Sequence, residues 1–385
     1  MVGESPTQYR PGPVVLFGSG ETSASGRKVF DRALKKLPQS PRLALLETPA
    51  GFELNSDRVI ERVADFIAHR LQNYAPQLRI IPARKRGTDF SPDDPEIVVP
   101  LLESDLIFMG PGSPTYAVRQ LQDSLAWHYL LARHRLGATL VLASAATIAI
   151  SAYALPVYEI YKVGEDLHWK DGLDFFGPYS LPLVFIPHWN NQEGGEELDT
   201  SRCFMGRARF AALMKMLPPD LTVVGIDEHT ALIMDPQAGD CHVVGAGGVT
   251  LIHTGPEHGA GFPDLHVSGL DVVAEARAAH VHQFQNGDVF PLSECCPLDT
   301  LAFPKQDLPA EVWRRALTVQ ARLEKESRSP DRPPPKAQAL VERRQEARAA
   351  KDWPKADELR RQIAELGWEV QDTPDGPRLI VKDES

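Results

Sequence analysis

Cysteine is scarce in this sequence of 385 residues, which has only four: Cys203, Cys241, Cys295 and Cys296. They lack the paired spacing of a zinc site, and they are too few for the disulfide framework of a small secreted protein. We therefore expect reduced, structural thiols. His280 and His282 would share one face of a strand in HVHQF, but no third ligand follows nearby, so the sequence predicts no metal and implies no cofactor.

Long apolar runs are also absent. No run approaches the roughly 20 residues that span a bilayer, and 43% hydrophobic with 24% charged residues is ordinary for a globular chain. The first residues, MVGESPTQYRPGP, lack the pattern of a secretory signal, so we expect a cytoplasmic protein with no membrane partner and a flexible lead-in over 1–12. The net charge of −11 disfavours sequence-independent binding of nucleic acid.

Short β-rich runs alternate with longer amphipathic segments over residues 13–300. The runs include PVVLFGSGE, RLALLETPA, SDLIFMG and GATLVLASA, and NSDRVIERVADFIAHRLQNY has apolar residues at helical spacing. Alternation of this kind is typical of βα units. The sequence therefore predicts an α/β fold with a doubly wound, mostly parallel sheet of flavodoxin-like type.

The rest of the chain divides into three smaller pieces. We expect a helix over 301–326, a stiff proline-rich linker over 327–336, where SRSPDRPPPKA includes three consecutive prolines, and a separate module over 337–382. That module is predicted to contain two helices followed by a β-hairpin around the turn DTPDG.

A candidate nucleophile lies in ATLVLASAATIAISAYA, where a strand turns into an alanine-rich helix at Ser144. Such a turn lifts a side chain above the carboxyl edge of the sheet and directs helix N–H groups toward the atom under attack. This geometry suits acyl transfer, although a serine at this position is also a common helix cap.

Acyl transfer by serine needs a base and an acid that orients it. His188 is the candidate base because FIPHWNN places it directly after the apolar strand LPLVFI. For the acid we predict Glu159, which lies between Ser144 and His188 in an aromatic-rich segment, with Glu165 and Asp166 as competitors. The oxyanion donors are predicted to be the N–H groups of Gly112, in the turn GPGSPTYAVRQL, and Ala145.

These motifs together resemble the serine peptidases that include cyanophycinase and alpha-aspartyl dipeptidase. The resemblance covers roughly residues 13–290 and rests on VLFGSGE, GPGSPTYAVRQL, LASAAT, PVYEIYKVGEDLHW, IPHWNN and GIDEHTALI, in that order. It implies a class I glutamine-amidotransferase-like fold. It also implies hydrolysis of an amide bond next to an aspartyl residue, with a small peptide or aspartyl peptide as substrate and an acyl-enzyme on Ser144.

The resemblance further implies basic residues that recognise the substrate, and Arg202, Arg207 and Arg209 in SRCFMGRARF fall in the comparable region. We expect substrate contacts from two of these arginines and two polar residues: Ser113, Asn190, Arg202 and Arg207.

The sequence departs from the family pattern beside the nucleophile. Two family glycines are replaced by Leu142 and Ala146, and each added side chain needs space where strand and helix meet around Ser144. A binding protein without catalytic activity, which keeps the pocket but has a closed turn, is therefore the alternative to a hydrolase.

Residues 337–381 are similar to the extreme C-terminal module of bacterial cysteinyl-tRNA synthetases. The chain has no HIGH or KMSKS signature, so we do not expect aminoacylation. The charges of this segment nearly balance, which favours a docking module over a strong tRNA binder. A protein or RNA partner of this module, a tRNA- or synthetase-associated accessory role, and a homodimer through a sheet-flanking helix stay open at this stage.

Overall fold

A computed structural model describes residues 9–254, 281–296, 308–327, 335–373 and 376–381. Its helices are, in chain order, α1 (Ala24–Leu34), α2 (Ser56–Arg70), α3 (Pro95–Val98), α4 (Pro114–Leu121), α5 (Leu125–Arg135), α6 (Ala145–Ala149), α7 (Gly206–Met214), α8 (Ala310–Ser327), α9 (Pro335–Ala349) and α10 (Trp353–Glu365). None of these described helices is both long and apolar enough to cross a membrane.

The strands of the same residues are, in chain order, β1 (Val14–Phe17), β2 (Arg42–Leu46), β3 (Gln77–Ile81), β4 (Leu106–Met109), β5 (Thr139–Ala143), β6 (Tyr153–Ala154), β7 (Lys170–Asp171), β8 (Leu183–Ile186), β9 (Leu221–Ile226), β10 (Thr230–Asp235), β11 (Asp240–Gly245), β12 (Gly248–Thr254), β13 (Val281–Gln285), β14 (Val289–Pro291), β15 (Trp368–Thr373) and β16 (Gly376–Val381).

The main sheet has the strand order β14-β11-β10-β1-β5-β4-β2-β3. The strands from β1 to β3 in this order run parallel, whereas β10, β11 and β14 extend the sheet in antiparallel pairing. This arrangement confirms the predicted α/β fold with a largely parallel sheet. Because the carboxyl ends of parallel strands meet at one edge, the residues after β1, β4 and β5 lie side by side.

Both faces of the main sheet are buried. Along β1, Val14 and Leu16 belong to one apolar core and Val15 and Phe17 to another, as alternation in a strand requires. Helices α1 and α2 cover the second core, and α2 lies in the segment NSDRVIERVADFIAHRLQNY, whose apolar residues have helical spacing.

The structure also contains a second sheet, with the strand order β13-β12-β9-β8, which was not predicted from the sequence. It includes β8, the strand that precedes His188, and β8 runs parallel to β9. The carboxyl ends of β8 and β9 are therefore neighbours, and residues that follow them can meet.

Helix α8 belongs to the core of the first domain and is not a separate unit. Its Val312 and Ala316 are 6% and 1% exposed within the main core, and Arg133 of α5 donates a hydrogen bond of 2.7 Å to Gln320. Residues 301–307 of the predicted helix, and 328–334 of the predicted linker, lie outside the described residues.

The C-terminal residues form the predicted helical hairpin, α9 and α10, followed by the β15–β16 hairpin. They have their own apolar core, which includes Leu359, Ile363 and Trp368. Arg344 is buried and forms two hydrogen bonds, of 2.9 and 3.1 Å, with the carboxylate of Asp372. This bidentate pair ties α9 to β15.

His134 gives the stability of the first domain a pH dependence. Its ring is buried, Nε2 donates to the Gly12 carbonyl at 2.8 Å, and the Tyr179 hydroxyl lies 3.2 Å from Nδ1. Burial is the main reason why the pKa of His134 falls to about 3.

Between the folded and unfolded pKa values of His134, only the unfolded state binds the proton. Stability must therefore fall as the pH drops from about 6.5 toward 3, by up to about 1.4 kcal/mol per pH unit from this group. We expect His134→Gln to be less stable at pH 7 but to lose less stability on going to pH 5. Urea unfolding of both proteins at the two pH values measures the difference, and equal losses would contradict it.

Candidate active site

Ser144 lies in a strained turn between β5 and α6. Its φ is 52° and its ψ is −108°, a backbone conformation that residues other than glycine rarely adopt. Thr147 fixes the turn from the helix side, because its hydroxyl is within hydrogen-bond distance of the carbonyls of Phe17 (3.0 Å) and Leu142 (3.1 Å). The Ser144 hydroxyl is thereby held above the carboxyl edge of the main sheet.

The two side chains that replace the family glycines fit into the core. Leu142 and Ala146 are fully buried, and Leu142 is in register with Leu16 of β1 and Met109 of β4. Both side chains are therefore accommodated in the core, and Ser144 itself is partly exposed.

His188 meets Ser144 from the second sheet. It follows β8 with a φ of 51°, and its backbone N–H donates to the Gly18 carbonyl at 3.2 Å. Its Nε2 lies 3.0 Å from the Ser144 hydroxyl oxygen. The side chain is 18% exposed, so the pair is open to a substrate. The structure thus brings together the predicted nucleophile and base, at a distance that allows proton transfer.

The acid beside His188 is Glu228, in the turn between β9 and β10. Its Oε1 accepts hydrogen bonds from His188 Nδ1 and Asn191 Nδ2, both at 2.9 Å. A carboxylate only accepts, so Nδ1 carries the proton and Nε2 is left to accept from Ser144. The hydrogen bond from His188 is the largest cause that holds the pKa of Glu228 below its usual value, whereas burial opposes it. Asn190, predicted to contact substrate, instead accepts from the Glu228 N–H at 2.8 Å and shapes this turn.

The prediction that Glu159 orients His188 is wrong. Oε1 of Glu159 accepts a hydrogen bond of 2.5 Å from the Thr115 hydroxyl. Its two competitors lie elsewhere as well: the Glu165 carboxylate is 3.6 Å from His168 Nε2, and the Asp166 carbonyl accepts from His168 Nδ1 at 2.8 Å.

The predicted oxyanion donors follow the neighbouring strands β4 and β5. Gly112 follows β4 with a φ of 145°, and a Cβ there would be 2.0 Å from the Pro49 carbonyl oxygen, so the position requires glycine. Ala145 is the first residue of α6, where N–H groups have no partner within the helix. Ser113 caps α4 through its hydroxyl, and its own N–H donates to Pro49.

The arginines predicted to bind a substrate carboxylate are engaged within the protein. Arg202 stacks on the ring of Trp189 at 3.8 Å and donates to its carbonyl at 2.9 Å. Arg207 pairs with Asp199 at 3.3 Å, and Arg209 donates to two carbonyls of its own segment. Burial lowers the pKa of Arg202 to about 10, in keeping with a guanidinium partly removed from water.

The loop that follows β1 adds a further carboxylate to the site. Ser19 accepts from the His229 N–H at 3.2 Å, so the loop packs on the turn that holds Glu228. Burial is the main cause that raises the pKa of Glu21, and the nearby His188 acts against it. Glu21 was not predicted as a site residue, although the motif VLFGSGE places it in the loop that follows β1, the strand that pairs with β5.

Within the part of the chain that the structure describes, no group of three or more potential ligands could hold a metal ion. His280 lies outside that part, and His282 Nδ1 is 3.2 Å from the carboxylate of Glu294.

Comparison with solved structures shows a peptidase-like fold. A peptidase from an acI-B1 Actinobacterium matches with a TM-score of 0.54 and 20% identity, and the match covers 74% of this chain and 98% of that one. A putative peptidase E protein from Listeria monocytogenes EGD-e matches at 14% identity over 61% of this chain and 99% of that one, with a TM-score of 0.42. At these identities the likeness concerns the fold alone.

Residues 331–377 match a different family model, described as the cysteinyl-tRNA ligase anticodon binding domain. In this region the chain is 50% identical over 46 residues to a cysteine–tRNA ligase of Methanosarcina mazei. It is 48% identical over 47 residues to cysteine–tRNA ligase 1 of Burkholderia lata. Each match covers 12% of this chain and 10% of the ligase, so the chain spans about a tenth of the length of these relatives.

Proposed function

We propose that the first domain is a serine-type peptidase or amidohydrolase. The observation that carries the proposal is the hydrogen-bonded series of Ser144, His188 and Glu228. His188 Nε2 lies 3.0 Å from the Ser144 hydroxyl oxygen, and His188 Nδ1 lies 2.9 Å from Glu228 Oε1. Nucleophile, base and orienting acid in this arrangement are the requirement for acyl transfer to serine.

In the proposed mechanism, His188 Nε2 removes the proton of the Ser144 hydroxyl as its oxygen attacks an amide carbonyl. The N–H groups of Gly112 and Ala145 stabilise the negative oxygen of the tetrahedral intermediate. The imidazolium then donates its proton to the leaving amine, which leaves an acyl-enzyme on Ser144. His188 next activates a water that releases the acid. Glu228 stabilises the imidazolium at each stage.

The aspartyl preference implied by the family resemblance has less support than the chemistry. It needs cationic side chains that face the substrate, and Arg202 and Arg207 are engaged with Trp189 and Asp199. We therefore propose the amide-bond chemistry without an aspartyl requirement.

The alternative of a binding protein with a closed turn has no support in the geometry, because Ser144 and His188 are within hydrogen-bond distance. A turnover screen of dipeptides and tripeptides, blocked and free, tests the activity, with Ser144→Ala as the background control. We expect the wild type, but not Ser144→Ala, to cleave at least one peptide. Equal amounts of product from the two proteins for every peptide of the screen would contradict the proposal.

We propose that the C-terminal module docks a protein or RNA and takes no part in catalysis. Its similarity to the anticodon binding domain of cysteine–tRNA ligases supports a docking role. Several of its cations are paired with carboxylates, among them Arg344 and Arg348, both with Asp372. The acidic and basic residues of the module also nearly balance in number, so we expect weak tRNA binding at most.

Removing residues 328–385 should leave the melting temperature of the first domain and its turnover nearly unchanged, because the module has its own core. Removing residues 308–385 should lower the melting temperature by more than about 5 °C, because the core then loses Val312 and Ala316. Calorimetry of both truncated proteins measures the contrast. A drop of several degrees in the first protein would contradict the independence of the module.

A further inference from the structure

Glu159, displaced from its predicted role, has an unusual environment. It begins a single π-helical turn, Glu159–Val163, of a kind that occurs frequently at functional sites. Its Oε1 is bonded to Thr115, but Oε2 is buried and has no hydrogen-bond partner among the described residues. A buried carboxylate oxygen without a partner is costly, so the structure calls for a donor that a ligand can supply.

Contacts on two sides place Glu159 at the mouth of the active site. Thr115 lies in the first turn of α4, immediately after the Gly112 loop at the carboxyl end of β4. On the other side, the ring of Tyr161 is 5.3 Å from Phe204, whose ring is 5.8 Å from that of His188. The turn that Glu159 begins therefore lies between the predicted oxyanion loop and the base.

The cavity next to Glu159 is acidic. The N–H of Glu165 donates to the Glu159 carbonyl at 2.9 Å. An open cavity of about 580 Å³ is lined by residues that follow this turn: Gly164, Glu165, Asp166 and His168. The nearby cation Lys162 is stacked over the ring of Tyr158 at 4.8 Å.

The two arginines predicted to bind a substrate carboxylate are engaged with other groups. Arg202 is stacked on Trp189 and Arg207 is paired with Asp199, as described above. An acidic substrate would thus meet carboxylates while Arg202 and Arg207 are bound to other groups, whereas a cationic one would find an acceptor at Oε2 of Glu159.

We propose that Glu159 is a specificity-determining residue, whose free oxygen accepts a hydrogen bond from an ammonium or guanidinium group of the substrate. The inference rests on the proposed function, because it names the class of substrate that the Ser144 site takes. It names a cation as the recognised group, where the family resemblance implies an aspartyl residue.

The test measures binding and so does not depend on turnover. The full-length Ser144→Ala protein is titrated by calorimetry with acetyl-Ala-X-Ala-amide, where X is lysine, arginine, norleucine or aspartate. Norleucine matches the length of lysine without its charge. We expect the lysyl or arginyl peptide to bind roughly tenfold to a hundredfold more tightly than the norleucyl peptide, the usual range for a hydrogen bond to a charged group.

Adding Glu159→Gln to that protein should abolish the preference, whereas adding Glu61→Gln, on the exposed surface of α2, should preserve it. Equal binding of cationic and norleucyl peptides, no binding of the cationic peptides, or tighter binding of the aspartyl peptide overturns the inference. The first titrations need no change at Glu159, so they decide the matter even if that variant does not fold.

The reaction of wild-type Ser144 with a fluorophosphonate tests the proposed function separately. A reactive protein that prefers the aspartyl peptide would overturn the inference and keep the function. A protein that does not react with the fluorophosphonate but binds the cationic peptides through Glu159 would overturn the proposed function and keep the binding role of Glu159.

Discussion

Replacing Ser144 with alanine is expected to lower turnover by a factor of roughly 10⁴ to 10⁶, or about 5 to 8 kcal/mol in the barrier. The reason is that no acyl-enzyme can form without the hydroxyl that lies 3.0 Å from His188. Turnover of a substrate found in the screen, followed by liquid chromatography, measures the loss.

A matched control is available at Ser40, which has the same φ of 52° as Ser144. Ser40 precedes β2 at the amino end of the sheet, away from the site, so Ser40→Ala tests the effect of removing a hydroxyl at a left-handed backbone position. We expect its turnover to stay within about twofold of the wild type. Full turnover by purified Ser144→Ala would contradict the assigned nucleophile.

Glu228→Gln is expected to lower turnover by roughly 10³ to 10⁴. The amide is similar in size, but it does not stabilise an imidazolium as a carboxylate does, and its NH₂ group can favour the wrong tautomer of His188. The lowered pKa of Glu228 supports a carboxylate that stays charged at neutral pH in the native protein. The rate of reaction of Ser144 with a neutral fluorophosphonate measures the loss without a natural substrate.

Glu159→Gln is the comparison for this variant, because Glu159 was the acid predicted from the sequence and contacts Thr115 instead of His188. We expect its reaction with the neutral reagent to stay within about threefold of the wild type, since the change does not touch the proton pathway. A large loss in Glu159→Gln with none in Glu228→Gln would reverse the assignment.

The sequence predicted the fold and two of the three proposed catalytic residues because both depend on local patterns. Alternating strands and helices indicate a parallel sheet. Ser144 follows an apolar strand directly, and His188 follows one after a single residue. Residues in such positions lie at the carboxyl edge of a sheet, where sites in α/β proteins form.

Glu228 could not be chosen in the same way because its place depends on the pairing of strands. It meets His188 because β8 lies parallel to β9, with Ile186 in register with Gly225. A single sequence does not show that pairing. The assumption that the acid lies between nucleophile and base in the chain led to Glu159, although Glu228, in the motif GIDEHTALI, also follows an apolar strand.

The arginines show a second limit of sequence reasoning. Residue type indicates that Arg202 can bind a carboxylate, but it does not show whether the protein already satisfies the guanidinium. Here the ring of Trp189 and its carbonyl do so. The sequence also does not show that Oε2 of Glu159 is buried without a hydrogen-bond partner in the described part of the chain, and this oxygen favours a cationic group of the substrate.

The most direct test of the central claim is the site of covalent modification by a fluorophosphonate. The full-length protein is treated with the reagent, digested and analysed by tandem mass spectrometry. We predict one adduct on Ser144, lost in Ser144→Ala, retained in Ser40→Ala and formed far more slowly in Glu228→Gln. An active protein whose Ser144 stays unmodified, or whose adduct lies on another residue, would contradict the assignment of Ser144, His188 and Glu228 as the catalytic residues.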